Sequence, residues 1–223
     1  HEVSSPLPPR ARDAPPRLPT APEMPPHRDP TEWGRLVESL DVASIFVVLS
    51  AWLGPKLRAE LAVEDIWQET LWQSWRDREQ HTWTNLAAWR AWLLTIAKNR
   101  IRDAARTAGR VKRGGDRSTS PMSALAGVDS VSALLPPGST TPSRVAGVHE
   151  RARAMSEALA TLDDDLQAVV RLRLFEEVPM RDVAAQLVLP LSTAKARLLL
   201  GVEANPRLLR QLLGGDADLG MSR

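Results

Sequence analysis

Two groups of residues have the types and spacing for binding a polyanion. Lys98, Arg102 and Arg106 recur every four residues, which places them on one stripe of a helix. Asn99 and Asp103 form a neighbouring polar stripe. A basic stripe beside tryptophans suits a nucleic acid: the cations hold phosphates while indoles meet unstacked bases. The second group is Ser192, Thr193, Lys195 and Arg197, at the start of a short helical pattern. Small hydroxyls at a helix N-terminus reach base edges, and the two cations reach phosphates or guanine. An ordinary helical hairpin accounts for Ala184, Leu187, Leu191 and Leu198, but not for that polar cluster.

Other chemistries find little support. There is no cysteine, so disulfides, thiolate metal sites and cysteine nucleophiles are absent. The four histidines (His1, His27, His81, His149) show no metal-ligand spacing. Asp163, Asp164 and Asp165 read as a cap and an acidic first turn rather than a cation loop. A carboxylate-bridged metal site on Glu60, Glu64 and Glu69 would need Glu-x-x-His pairs, which the sequence lacks. No catalytic residue, metal or cofactor is expected.

The elements that would position these groups are helical. Residues 32–40, 42–60, 63–79 and 85–108 form one helical region. Residues 149–161, 163–175, 179–187, 191–204 and 206–213 form another. Neither shows strand alternation or a hairpin signal. All eight tryptophans fall in the first region, where most are expected to pack a core. Ile66, Thr70, Leu71, Ser74 and Trp75 share one side of the third helix. Leu86, Trp89, Leu93, Ile96 and Ala97 share one side of the fourth. The fold class is therefore all-α: two small helical domains, 31–108 and 149–214, joined by a flexible linker.

Residues 1–30 carry ten of the 18 prolines and read as a disordered tail. Residues 109–148, rich in Gly, Ser, Thr and Pro, read as the linker, with Val131, Leu134 and Leu135 as a short apolar patch inside it. Residues 215–223 read as a flexible tail. The longest apolar stretch, Val42 to Gly54, suits a core helix rather than a membrane span of roughly 20 residues. No apolar signal core is seen near the N-terminus, and a cytoplasmic location is expected.

The formal net charge of +2 hides an asymmetry. Residues 31–80 hold five bases against nine acids, a net of −4; residues 81–117 hold nine bases against two acids, a net of +7. The first surface suits a basic partner and the second a polyanion.

In combination these motifs resemble a bacterial RNA polymerase sigma factor of the extracytoplasmic-function (ECF) type. Glu64-Asp65-Ile66-Trp67-Gln68-Glu69-Thr70, followed by Trp75, resembles region 2.2. Trp92 to Asp103 resembles the W-L-x-x-I-A-x-N-x-x-x-D signature of regions 2.3 and 2.4. Ala158 to Leu209 resembles region 4, its turn and second helix reading Pro190-Leu191-Ser192-Thr193-Ala194-Lys195-Ala196-Arg197-Leu198. The resemblance implies that Asp65, Gln68 and Glu69 bind core RNA polymerase. It implies that Lys98, Asn99, Arg102 and Arg106 hold melted minus-10 DNA, with Asn99 near a flipped base. Ser192, Thr193, Lys195 and Arg197 would read the minus-35 element in the major groove. The polymerase would supply the catalytic metal, and this chain would be no enzyme. Members are often restrained by an anti-sigma factor, which no residue here identifies. The alternative is a sigma-like or stand-alone helix-turn-helix regulator that does not support initiation. Two departures favour it: Glu177 and Val188 stand where the family often has Gly. Ala194 and Ala196 replace its usual Val and Ser.

Overall fold

A computed structural model describes residues 30–111 and 141–212. The Pro-rich tail, the apolar patch of the linker and the C-terminal tail lie outside the described residues. Among the described residues there is no strand, and the architecture is all-α.

The first segment comprises α1 (Pro30–Glu38), α2 (Val42–Arg58), α3 (Val63–Asp77) and α4 (Leu86–Val111), with a 3-10 turn at Arg78–Gln80. Asp41 caps α2, its carboxylate accepting from the Ser44 N–H at 3.4 Å. Residues 43–49 are buried one after another, so the first half of α2 is the central core helix. Gly54 then breaks the helix with φ 63° and ψ 173°, and Pro55 restarts it. Only glycine tolerates that backbone cheaply, and proline suits the first position of the new turn. In α3, Ile66, Thr70, Leu71 and Ser74 face inward as the spacing predicts. The two buried hydroxyls are satisfied within the helix: Thr70 Oγ1 donates to the Ile66 carbonyl at 2.7 Å, Ser74 Oγ to the Leu71 carbonyl at 2.8 Å. Trp33 sits at the centre, meeting Trp75 and Trp89 edge to face at 5.5 and 5.3 Å.

On α4, Trp89, Leu93, Ile96 and Ala97 are buried. Leu86, expected on the same side, is exposed: it opens the helix, beyond the reach of the core.

The second segment comprises α5 (Pro142–Ala160), α6 (Asp164–Val170), α7 (Met180–Gln186), α8 (Leu191–Ala204) and α9 (Pro206–Leu212). Arg171–Phe175 continue α6 as a π-helical turn. The helix expected from residue 149 begins at Pro142, inside the stretch read as linker. Proline at the first turn starts a helix readily, which a composition reading mistakes for loop. Asp163 holds the N-cap position of α6 as expected but makes no side-chain capping bond. Pro179 caps α7 rather than occupying its first turn.

The two segments are docked. Met155, Leu159, Val170, Phe175 and Leu208 belong to the same apolar core as Trp33, Ile45 and Trp89. A smaller core of Val169, Leu172 and Val183 holds α6 and α7 together. Among the described residues no single helix is long and apolar enough to cross a membrane.

Candidate nucleic-acid and partner interfaces

The basic stripe of α4 is open to solvent. Lys98, Asn99, Arg102 and Arg106 are all exposed, on the side away from buried Leu93, Leu94, Ala97 and Ile101. Lys98 Nζ lies 5.0 Å from the Trp52 ring centroid, a cation–π contact that anchors its stem. Arg106 pairs with Asp103 at 3.2 Å, but both side chains are well exposed, so water competes with the pair.

The loop before α4 adds His81 and Trp83, which the motif reading did not single out, to Trp92 on α4. Trp83 and Trp92 ring centroids are 4.8 Å apart, and His81 lies 4.7 Å from Trp92. Both indoles are half-buried and His81 is exposed. Trp92 precedes Lys98 by six helical residues, about 9 Å along the axis. Trp92 and the exposed cations thus share α4.

Asp65, Gln68 and Glu69 lie on α3. Gln68 is exposed, while Asp65 and Glu69 are half-buried. Burial raises the Glu69 carboxyl above the usual carboxylate range; Arg100 pulls it back and Asp65 adds to the rise. Arg100 also donates to Gln73 Oε1 at 2.9 Å, so it ties α4 to α3 rather than facing solvent. Glu64 is engaged by the second segment, its Oε1 lying 2.8 Å from His149 Nε2. A groove of about 500 Å³ runs here, with Glu64, Trp67 and Gln68 on one wall and Val145, Val148 and His149 on the other.

In the second segment α7 and α8 meet at 103°. The turn between them is a Schellman close: the Val188 N–H donates to the Ala185 carbonyl at 3.3 Å, and the Leu189 N–H to the Ala184 carbonyl at 2.9 Å. That geometry puts Val188 at φ 54° and 89% exposed. Glu177 follows the preceding π turn at φ 57°, and there the Val178 N–H donates to the Leu172 carbonyl at 2.9 Å. Both positions where glycine was missed are therefore left-handed. At the start of α8, Ser192 and Lys195 are exposed and Thr193 half-buried. Arg197 differs: its Nη2 is 2.6 Å from Asp165 Oδ2 on α6. Gly201 lets α8 cross α6 closely, since an added Cβ would come within 2.6 Å of Val170 Cγ2.

Arg90 was grouped with the basic surface but is 6% exposed. Its Nη2 donates to Ser44 Oγ at 3.3 Å and to the Phe175 carbonyl. Its Nη1 is 3.4 Å from Glu177 Oε1, without hydrogen-bond geometry. Burial pulls the guanidinium below the usual arginine range, and the Glu177, Asp41 and Glu176 carboxylates oppose that pull. The signal was available: Arg90 shares a helical face with Leu93, Leu94, Ala97 and Ile101.

An acidic helix thus packs against a helix with an open basic stripe. Residues 49–111, from within α2 to the end of α4, match the family model for sigma-70 region 2. The match supports a sigma-70 family RNA polymerase sigma factor. No curated protein and no solved structure matches the chain.

Proposed function

We propose that the chain is an ECF-type sigma factor that seats on bacterial core RNA polymerase and directs it to promoter DNA. The observation that carries this reading is the open basic stripe on the helix that ends the sigma-70 region 2 match. Lys98, Arg102 and Arg106 hold backbone phosphates of melted minus-10 DNA, and Asn99 faces a flipped base. Trp83 and Trp92 add aromatic faces, which offset part of the cost of unstacking, a few kcal/mol per base. Asp65, Gln68 and Glu69 bind the polymerase. A net-negative segment favours encounter with a basic surface.

In the second segment, the 103° crossing and the four-residue turn 187–190 support a helix-turn-helix. Ser192, Thr193, Lys195 and Arg197 would read the minus-35 element from α8. Arg197 must leave Asp165 to do so. Such a protein works in the cytoplasm without a cofactor, and an anti-sigma factor would be a further partner.

The test is co-elution of the chain with sigma-free core polymerase on a sizing column, followed by promoter-specific run-off transcription. Co-elution that Asp65→Ala weakens, with helicity unchanged, supports the reading. Absence of co-elution by a folded chain sinks it. Co-elution without run-off on any promoter favours a regulator that does not initiate, the reading to which Glu177 and Val188 first pointed.

A further inference from the structure

The solvent face of α8 is a single stripe whose chemistry changes along the helix. Ala194 and Gly201 are the buried positions of α8, and the opposite side points straight into water. Ser192, Ala196, Leu199 and Glu203, spaced four, three and four residues apart, form that outward stripe, and all four are exposed. Lys195 is exposed beside it, and Leu199 and Leu200 are 59% and 55% exposed. Arg197 lies on the flank, where it meets Asp165 at 2.6 Å. The outermost groups in the middle of α8 are therefore aliphatic: the methyl of Ala196 and the isobutyl group of Leu199.

Two exposed leucines and an alanine fall far short of the ~800 Å² that a stable protein interface buries on each partner. A duplex suits them better. Lys195 on α8 and Arg181 in the first turn of α7 are exposed cations, placed for a phosphate-bearing surface. Of the four bases only thymine offers an apolar group in the major groove, its C5 methyl, and aliphatic side chains pack against it. Over guanine, cytosine or adenine the same side chains would cover hydrogen-bonding edges and leave them without partners. Ala196 and Leu199 are three residues apart, about 4.5 Å along the axis, comparable with the step of about 3.4 Å between base pairs. Glu203 ends the reading face, because its carboxylate would meet phosphates of like charge.

We infer that Ala196 and Leu199 are specificity-determining residues of α8, which read the C5 methyl groups of two thymines in the major groove. This role rests on α8 entering DNA as proposed above. Ser192 and Lys195 hold polar base edges or phosphates, and the aliphatic pair selects thymine. A site bound by this chain then carries thymines, on either strand, beneath the middle of α8.

Deoxyuridine supplies the test, because it lacks that methyl and keeps every hydrogen-bonding group of thymine. DNA of random sequence is selected with the full chain on sigma-free core polymerase, and each thymine recovered in the minus-35 stretch is replaced in turn by deoxyuridine. Two of these replacements are expected to weaken binding about three- to fivefold each, the effect of losing one buried methyl. Leu199→Ala should remove the penalty at one position. Ala196→Ser should remove it at the other and change the base preferred there. Both residues are exposed, and each variant is compared with itself on thymine and uracil DNA, so any loss of folded protein cancels. Uracil penalties that neither substitution changes overturn the role of these two residues. Penalties that stay intact while Leu199→Ala weakens the hold on polymerase overturn it too, and assign the leucines to a protein contact. A recovered sequence indifferent to uracil sinks thymine selection alone. If no minus-35 sequence is recovered, α8 fails as a DNA reader and thymine selection fails with it.

Discussion

Val188 holds a β-branched side chain at φ 54° with 89% of it in water, so nothing in the fold compensates its backbone strain. A left-handed residue other than glycine costs roughly 1–2 kcal/mol. Val188→Gly should therefore raise stability by about 1 kcal/mol once the added chain entropy of glycine is subtracted, readable as a higher urea midpoint. Glu69 makes a second prediction. Its folded pKa is raised by burial, so its contribution favours the fold below the unfolded carboxylate pKa and is lost as pH rises through the folded value. Glu69→Gln should be nearly neutral in acid, increasingly stabilising relative to the parent as pH climbs from the unfolded value to the folded one, and constant above that. Loss of the Arg100 attraction limits the gain. Urea titrations across the carboxylate range check it. Both residues show what residue types alone convey. The missing glycines marked left-handed positions, because only that geometry makes the family prefer glycine there. The tie between Arg100 and Gln73 was not legible, because it joins helices 27 residues apart in sequence.

The basic face of α4 and the close crossing of α6 and α8 are properties of whole helices. If Arg102 and Arg106 each neutralise a phosphate, alanine at either should lower the slope of log affinity against log salt by about 0.7 to 0.9, on every DNA sequence alike. If α8 reads the minus-35 element as proposed, Lys195→Ala should instead weaken dependence on that sequence. At Gly201 there is no room to yield, since Val170 is fully buried and branched at Cβ. Gly201→Ala should cost about 1–3 kcal/mol and loosen α8 from α6, measurable by hydrogen exchange along α8. Helical periodicity revealed these elements and their inward faces well, because each depends on neighbours three and four residues away. It failed where composition spoke louder than pattern. The Ser, Thr, Pro and Gly of residues 140–147 hid the first turns of α5. The positive charge of Arg90 disguised a residue on the apolar stripe.

For the molecule as a whole, the sequence conveyed two helical segments and the order of their motifs, but not that they pack together. Long-range packing is set by which faces fit, and Phe175 reaches Arg90 across 85 positions. No local pattern encodes such a partner. The opposed charges of the two halves of the first segment were legible, and the structure spends them differently. Glu38 and Asp41 meet arginines of α5 and Glu64 meets its His149, whereas Lys98, Arg102 and Arg106 stay in water.

The crowding of all eight tryptophans between positions 33 and 92 has an optical consequence. The second segment contains no indole, so its own light emission is negligible beside that of the first. Trp89, fully buried, is the covalent neighbour of Arg90. Emission from this protein should therefore shift to the red when the second segment lets go, as in Arg90→Met, well before the first segment melts. A chain whose fluorescence and helicity change together at every denaturant concentration would have no such separable step.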